Sequence, residues 1–333
     1  MPQTIVTCFP VSETLVQKMR SQFEGRFEVI VSEQEQIAEN IFKADIFFGH
    51  AKVPVDWPAV VKAGKLNWIQ SSAAGLDHCL TPEVIASDIL VSGCSGLFAR
   101  QVSEQTLALL MGLIRRTNVF FKAQAKREFI RRPTDNLYGK RVLIVGFGGN
   151  GQRIARVLRP LTDSIVATDF YPEPGRSLID EDIVEAVHAA DELDSLLPKA
   201  DVVIVTLPLS KMNEQLLDTK QFGLMKEGAY LINVGRGSVV DTQAMIKCLN
   251  TGRLSGVGFD VVDPEPLPED SELWAMENVI ISPHVGAQSP LRVPTTVDLF
   301  LENVKRHEQN LPLLNQVNKE LGFPHPDHRI ELI

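Results

Sequence analysis

Residues 141–151 read Arg141-Val-Leu-Ile-Val145-Gly146-Phe-Gly148-Gly149-Asn150-Gly151, a short apolar run feeding a glycine-rich turn. Runs of this kind suit a strand covered on both faces of a sheet. The stretch that leaves the turn, Gln152–Leu158, is rich in helix formers, and the next apolar run, Ser164–Thr168, ends at Asp169, eighteen residues past Gly151. Strand, glycine turn, helix, strand and acid in that order make a dinucleotide-binding unit. The first glycine allows the tight turn, the second lets the backbone approach a pyrophosphate, and the third lets the helix pack on the strand. The helix N-terminus offers unpaired N–H groups and a positive dipole end to the phosphates. Asp169 is expected to accept hydrogen bonds from the adenosine ribose. It would repel a 2′-phosphate, so NAD (NADH) is expected in preference to NADP. Arg176, seven residues on, lies too far along the chain to reverse that preference.

Working outward, further strands follow at Asp201–Thr206, Tyr230–Val234, Gly256–Phe259 and Val279–Ile281, giving six with helical stretches between them. That alternation predicts a doubly wound parallel sheet. Upstream, Thr4–Thr7, Phe27–Val31, Asp45–Gly49, Leu66–Gln70 and Ile89–Val91 form a second parallel α/β series, with a helix over Ser12–Phe23. Residues from about Gln101 to Ile130 read as one long connecting helix, apolar over Leu107–Ile114 and basic from Arg115 to Arg132, with Pro133 as its stop. The chain from about Pro290 is helical through Val304 and is expected to return to the first series.

Bulk properties narrow the function classes. The chain has 333 residues, enough for two domains, with 44% hydrophobic and 23% charged residues. A net charge of -9 argues against a non-specific nucleic-acid or anionic-membrane partner. Cys8, Cys79, Cys94 and Cys248 are scattered without ligand spacing, so no metal site is expected and the thiols are read as reduced. No signal segment or spanning apolar run is visible, and a cytoplasmic location is expected.

Three loops that follow strands carry complementary chemistry. Arg236 lies in Asn233-Val-Gly-Arg-Gly-Ser, Glu265 in Asp260-Val-Val-Asp-Pro-Glu-Pro-Leu-Pro, and His284 in Ser282-Pro-His-Val-Gly286. A guanidinium can clamp a carboxylate and polarise a carbonyl. An imidazole can pass a proton to the carbonyl oxygen, and a carboxylate can hold that imidazole. Together these are what hydride exchange with a 2-oxo acid requires of a protein, since the dinucleotide carries the hydride.

The chain resembles the D-isomer-specific 2-hydroxyacid dehydrogenase family. The likeness runs through Leu137-Tyr-Gly-Lys140, Val145 to Asp169, Leu207-Pro-Leu209, Ile232 to Asp241, Gly258 to Pro268 and Ser282-Pro-His284. It implies that Arg236 binds carboxylate and carbonyl, that His284 is the acid/base paired with Glu265, and that Asp260 supports the site. In Ser72-Ala-Ala-Gly-Leu-Asp77 it implies a substrate loop whose Ala74, Gly75 and Leu76 N–H groups hold the carboxylate. The implied cofactor contacts are Gly146, Gly148, Gly149, Asn150, Gly151, Asp169, Thr206, Leu207, Pro208, Val234, Gly235, Asp260, His284 and Gly286. Ser103 and Asn150 depart from the family's usual alanine and apolar residue without removing a chemical group. The implied architecture is α/β with two domains. A Rossmann doubly wound parallel sheet (104–290) is inserted in a flavodoxin-like substrate domain (1–103 with 291–333).

The implied activity is NAD-dependent interconversion of a small 2-oxo acid and a D-2-hydroxy acid by a homodimer. Two rival readings share these features. One is a phosphoglycerate dehydrogenase-like enzyme lacking a regulatory domain, and the other is a non-enzymatic NAD-sensing, corepressor-like binding protein. Turnover of 2-oxo acids separates the last from the first two.

Overall fold

The structure is a computed structural model and describes residues 2–330. The chain folds as two compact units. One runs to Phe98 and resumes at Ser289, and the other is Ala99–Gln288.

The first unit is built on β1 (Gln3–Cys8), β2 (Phe27–Val31), β3 (Ile46–Gly49), β4 (Trp68–Ser71) and β5 (Leu90–Ser92), in the order β2-β1-β3-β4-β5. Every neighbouring pair is parallel, and this order is the flavodoxin-like one. Side chains alternate between faces along each strand, so adjacent residues enter different cores. Val6, Phe47 and Ile69 pack on one side with Trp57 and Val84. Ile5, Phe48 and Trp68 pack on the other with Val297 and Phe300 of the helix Arg292–Glu308. Ser12 caps the helix Glu13–Phe23, its hydroxyl accepting from the Leu15 N–H. The C-terminal segment is tied to this unit by Lys319, whose ammonium donates to the carbonyls of Val84 (3.1 Å), Ser87 and Ile89 (3.2 Å). Residues 331–333 of the tail lie outside the described residues.

The second unit carries β6 (Arg141–Val145), β7 (Ser164–Asp169), β8 (Ala186–Ala189), β9 (Val202–Val205), β10 (Ala229–Asn233), β11 (Leu254–Phe259) and β12 (Val279–Ile281). Their order is β12-β11-β10-β9-β6-β7-β8, parallel throughout. The winding reverses between β6 and β9, which defines the switch point of a doubly wound sheet. Seven strands replace the six expected. The added one, β8, is an edge strand of Ala-Val-His-Ala whose residues are all half-buried, so it lacks the apolar run that marks its neighbours.

The long helix expected over 101–130 is also corrected. The chain forms Ala99–Ile114 and Thr117–Ala125, broken at Arg116, which takes a left-handed φ of 54°. Past Ala125 the basic stretch holds no regular element before β6. The substituted Ser103 is absorbed locally, its hydroxyl donating to the Arg100 carbonyl at 2.7 Å. Cys8, Cys79 and Cys94 are buried, Cys248 is half-buried, and all four are free. Burial pushes the Cys8 thiol up to about 11 and the Cys94 thiol to about 12, and raises Cys79 and Cys248 as well. Among the described residues no helix is long and apolar enough to cross a membrane.

Candidate active site

The glycine turn follows β6, at the strand ends beside the switch point. Gly146 takes φ 94°, which leaves the turn open only to a residue without Cβ. A Cβ on Gly151 would lie 2.2 Å from the Gly146 carbonyl oxygen, so helix and turn can close only around glycine. Gly148 caps the helix Gly149–Leu158 without any side-chain hydrogen bond, and the space beyond its Cα is open to 4 Å. The half-buried Asn150 Oδ1 has no hydrogen-bond partner. Unfilled donors at a helix N-terminus and open space over a glycine fit a bound dinucleotide phosphate.

Asp169 closes β7 and is 8% exposed, so its carboxylate needs partners. Its oxygens accept from the Phe147 N–H (2.6 Å) and the Tyr171 N–H (2.8 Å), which fixes the acid to the glycine turn. The side chain of Arg176 lies outside those described.

On the other side of the switch point, the Thr206 hydroxyl donates to the Gly146 carbonyl at 2.7 Å. The Leu207 backbone lies against Gly235, and the Pro208 carbonyl accepts from the Asn213 amide at 2.6 Å. Val234 is buried and continues the β10–β9 pairing through its N–H to the Val205 carbonyl at 3.0 Å.

The three chemical side chains follow β10, β11 and β12, which are sheet neighbours. Arg236 is half-buried between two glycines, and its guanidinium donates to the Gly235 carbonyl at 2.9 Å. The loop is held from inside by Asn233, whose amide donates to the Arg236 carbonyl (2.9 Å) and accepts from the Gly235 N–H (3.0 Å). His284 Nδ1 lies 2.8 Å from Glu265 Oε1. Their side chains are 43% and 44% exposed, where an ion pair contributes only about 0–1 kcal/mol to folding. The pairing therefore has little structural reason and a clear chemical one: it fixes the imidazole plane and leaves Nε2 for another partner.

A model of the NAD-binding domain of D-isomer specific 2-hydroxyacid dehydrogenases matches residues 107–286. The chain belongs to the D-isomer specific 2-hydroxyacid dehydrogenase family. It is an NAD(P)-dependent oxidoreductase. A glyoxylate reductase of Thermofilum pendens is 30% identical over 311 residues, covering 90% of this chain and 89% of the relative. A glyoxylate reductase of Pyrococcus furiosus is 27% identical over 316 residues, covering 90% and 92%. Among solved structures, a D-isomer specific 2-hydroxyacid dehydrogenase family protein from Aeromonas salmonicida superposes with a TM-score of 0.79 at 26% identity, covering 96% of this chain and all of that one.

In this dehydrogenase the expected substrate loop follows β4. Gly75 and Leu76 are buried and Ala74 is exposed. The N–H groups of all three donate to no acceptor among the described residues. Ser71 shapes the loop by accepting from the Ala73 N–H at 3.1 Å.

The buried Asp260 has its carboxylate turned to the His284 loop, accepting from the Ser282 hydroxyl (2.7 Å) and the N–H groups of Val285 (3.0 Å) and Gly286 (2.8 Å). Sequence reasoning passed over Ser282, although it directly precedes the Pro-His step, and also Gln105, which reaches Ser282 from a helix 177 positions earlier.

Proposed function

We propose that this chain interconverts a small 2-oxo acid and the matching D-2-hydroxy acid, with His284 as acid/base, Glu265 as its partner and Arg236 as the cation for carboxylate and carbonyl. The single observation that carries the reading is the 2.8 Å His284–Glu265 couple on loops one and two strands from Arg236. A nicotinamide dinucleotide, when bound, supplies or accepts the hydride. During reduction Arg236 stabilises the negative charge that gathers on the carbonyl oxygen. His284 passes the Nε2 proton to that oxygen, and Glu265 holds the Nδ1 proton so that the ring keeps its orientation. In oxidation the same imidazole takes the proton back.

We assign the N–H groups of Ala74, Gly75 and Leu76 to the substrate carboxylate, supported by their lack of other acceptors among the described residues. NAD is the preferred dinucleotide in this reading, because Asp169 presents a negative charge where a 2′-phosphate would lie. The four free thiols support a reducing, cytoplasmic setting. A homodimer is supported by Phe121, Phe129 and Tyr138, which are 66%, 96% and 78% exposed in one stretch of the second unit. Within the class of small 2-oxo acids, glyoxylate is the first substrate to test, a choice supported by the glyoxylate reductase relatives.

The test is a panel of glyoxylate, hydroxypyruvate and longer 2-oxo acids with NADH and NADPH, run beside His284→Ala. The parent should turn over at least one acid, and the variant should lose about 10²–10⁴-fold in rate while still binding NADH. NADH binding without turnover by the parent would instead identify a sensor, and parental rates from the variant would remove His284 from its role.

A further inference from the structure

We infer that Gln105 and Ser282 are positioning residues for His284, acting as a relay from the helix Ala99–Ile114 through the Asp260 carboxylate. The inference rests on the proposed role of His284 as acid/base.

The His284 backbone takes φ 53°, a left-handed conformation that a residue with a Cβ keeps only when its surroundings impose it. Asp260 does most of the imposing. Its carbonyl accepts from the His284 N–H at 2.8 Å, and its carboxylate accepts from the N–H groups of the next two residues, Val285 and Gly286. The peptide groups on both sides of the imidazole therefore hang on one aspartate.

That aspartate is 4% exposed, and its three carboxylate donors are two backbone N–H groups and the Ser282 hydroxyl, none of them a cation. A buried carboxylate so placed depends on every donor, because losing one leaves lone pairs that water does not fill. The Ser282 hydroxyl is the only donor of the three that can turn away. Its oxygen lies 2.7 Å from Asp260 Oδ1 and 3.2 Å from the Phe259 carbonyl, two competing acceptors for one proton. Gln105 biases that choice. Its amide donates to the Ser282 oxygen at 2.8 Å, filling one lone pair and favouring the shorter acceptor for the proton. The chain of contacts is thus Gln105 to Ser282, Ser282 to Asp260, and Asp260 to the backbone of 284–286. All four lie within the second compact unit.

None of these groups needs to touch substrate for its loss to be felt. If the His284 loop relaxes, the imidazole leaves its line with Glu265, and a displacement near 1 Å costs about 100-fold in rate.

The experiment compares Ser282→Ala, Ser282→Thr and Gln105→Leu with the parent and with His284→Ala. The readouts are kcat and KM for the best 2-oxo acid, NADH affinity by fluorescence titration, and the thermal midpoint. Ser282→Ala is expected to lower kcat about 10- to 100-fold while KM and NADH affinity stay within about threefold. Ser282→Thr, which keeps the hydroxyl, should recover most of the rate. Gln105→Leu should lower kcat less, and should add nothing in the Ser282→Ala background because it acts through that hydroxyl.

A purely structural role would lower the thermal midpoint without splitting kcat from KM, and that result overturns the relay. Parental kcat in both Ser282→Ala and Gln105→Leu, with His284→Ala inactive, overturns the relay and leaves the role of His284 standing. Parental kcat in His284→Ala removes the underlying reading and the relay with it. If Ser282→Ala fails to fold, Gln105→Leu and Ser282→Thr decide the matter.

Discussion

Adding one methyl group at Gly237 should separate the loops that carry Arg236 and Glu265. A Cβ built there lies 2.0 Å from the Val262 carbonyl oxygen, 2.1 Å from its carbon and 2.7 Å from the Asp263 nitrogen. All three atoms are backbone, so no flexible side chain can yield. Contacts under 3.0 Å do not survive, and the Val262 peptide must retreat by about 1 Å from the Arg236 loop. Arg236 adjoins the substituted residue, and Glu265 lies two residues past Asp263. Gly237→Ala should therefore lower kcat/KM for 2-oxo acids by roughly 100-fold through misplacement alone. Overpacking should also cost about 1–3 kcal/mol of stability, a fall of several degrees in thermal midpoint for a unit of this size. NADH affinity should fall less than turnover, because the glycine turn lies beyond β9. Steady-state kinetics, calorimetry and NADH fluorescence titration measure the three quantities. Gly252→Ala serves as control: its φ is also positive, at 75°, but nothing lies within 4 Å of its Cβ, so it should lose stability and keep its rate. The reasoning fails if Gly237→Ala keeps kcat/KM within threefold of the parent, or loses NADH binding as fully as turnover.

Two further outcomes are expected. Asp169→Asn keeps one acceptor for the Phe147 and Tyr171 N–H groups but drops the charge, so the ratio of kcat/KM with NADH to that with NADPH should fall on the order of tenfold or more; an unchanged ratio would take cofactor choice away from this residue. His307 stacks on Trp68 with ring centroids 5.4 Å apart, and burial pushes its pKa below the ordinary 6.5, against an opposing effect of Glu308. The unfolded chain then takes up a proton that the folded one resists, so this group costs stability as pH falls below about 6.5. Urea midpoints at about pH 7.5 and 5.5 should differ less in His307→Phe than in the parent, and equal differences would exclude His307 as a source of acid sensitivity.

The sequence carried the covered strands well, because Val, Ile and Leu runs record burial on both faces. β2, β6 and β12 begin and end at the residues read from the apolar runs alone. β8 was illegible for the converse reason: an edge strand half-buried throughout carries no continuous apolar signal. The break at Arg116 was equally hidden. Nothing in Arg115-Arg-Thr117 marks a stop, since a left-handed arginine is imposed by packing and not by propensity. The glycine turn was legible because its geometry demands glycine in a fixed spacing. The His284–Glu265 couple was legible only as chemistry. Periodicity assigns faces, and it cannot bring two loop residues 19 positions apart to 2.8 Å.

Sheet winding explains why these side chains can act together. In a parallel sheet every carboxyl end lies on one side, and each crossover returns the chain to that side. From β9 outward the winding runs in one direction, so chain order becomes spatial order: Arg236, Glu265 and His284 follow β10, β11 and β12, which are adjacent. Neighbouring strands are about 4.8 Å apart, which sets the spacing at which successive loops can present their residues. Loops at the opposite strand ends face no such demand. An insertion near Gly252, where the turn is exposed and its Cβ direction is empty, should leave the site intact. The same insertion between Asp260 and Glu265 would separate a carboxylate that holds the histidine backbone from one that holds its ring. The four positions between them are constrained from both ends, and that double constraint, more than the identity of any single residue, ties this loop to the placement of the His284 ring.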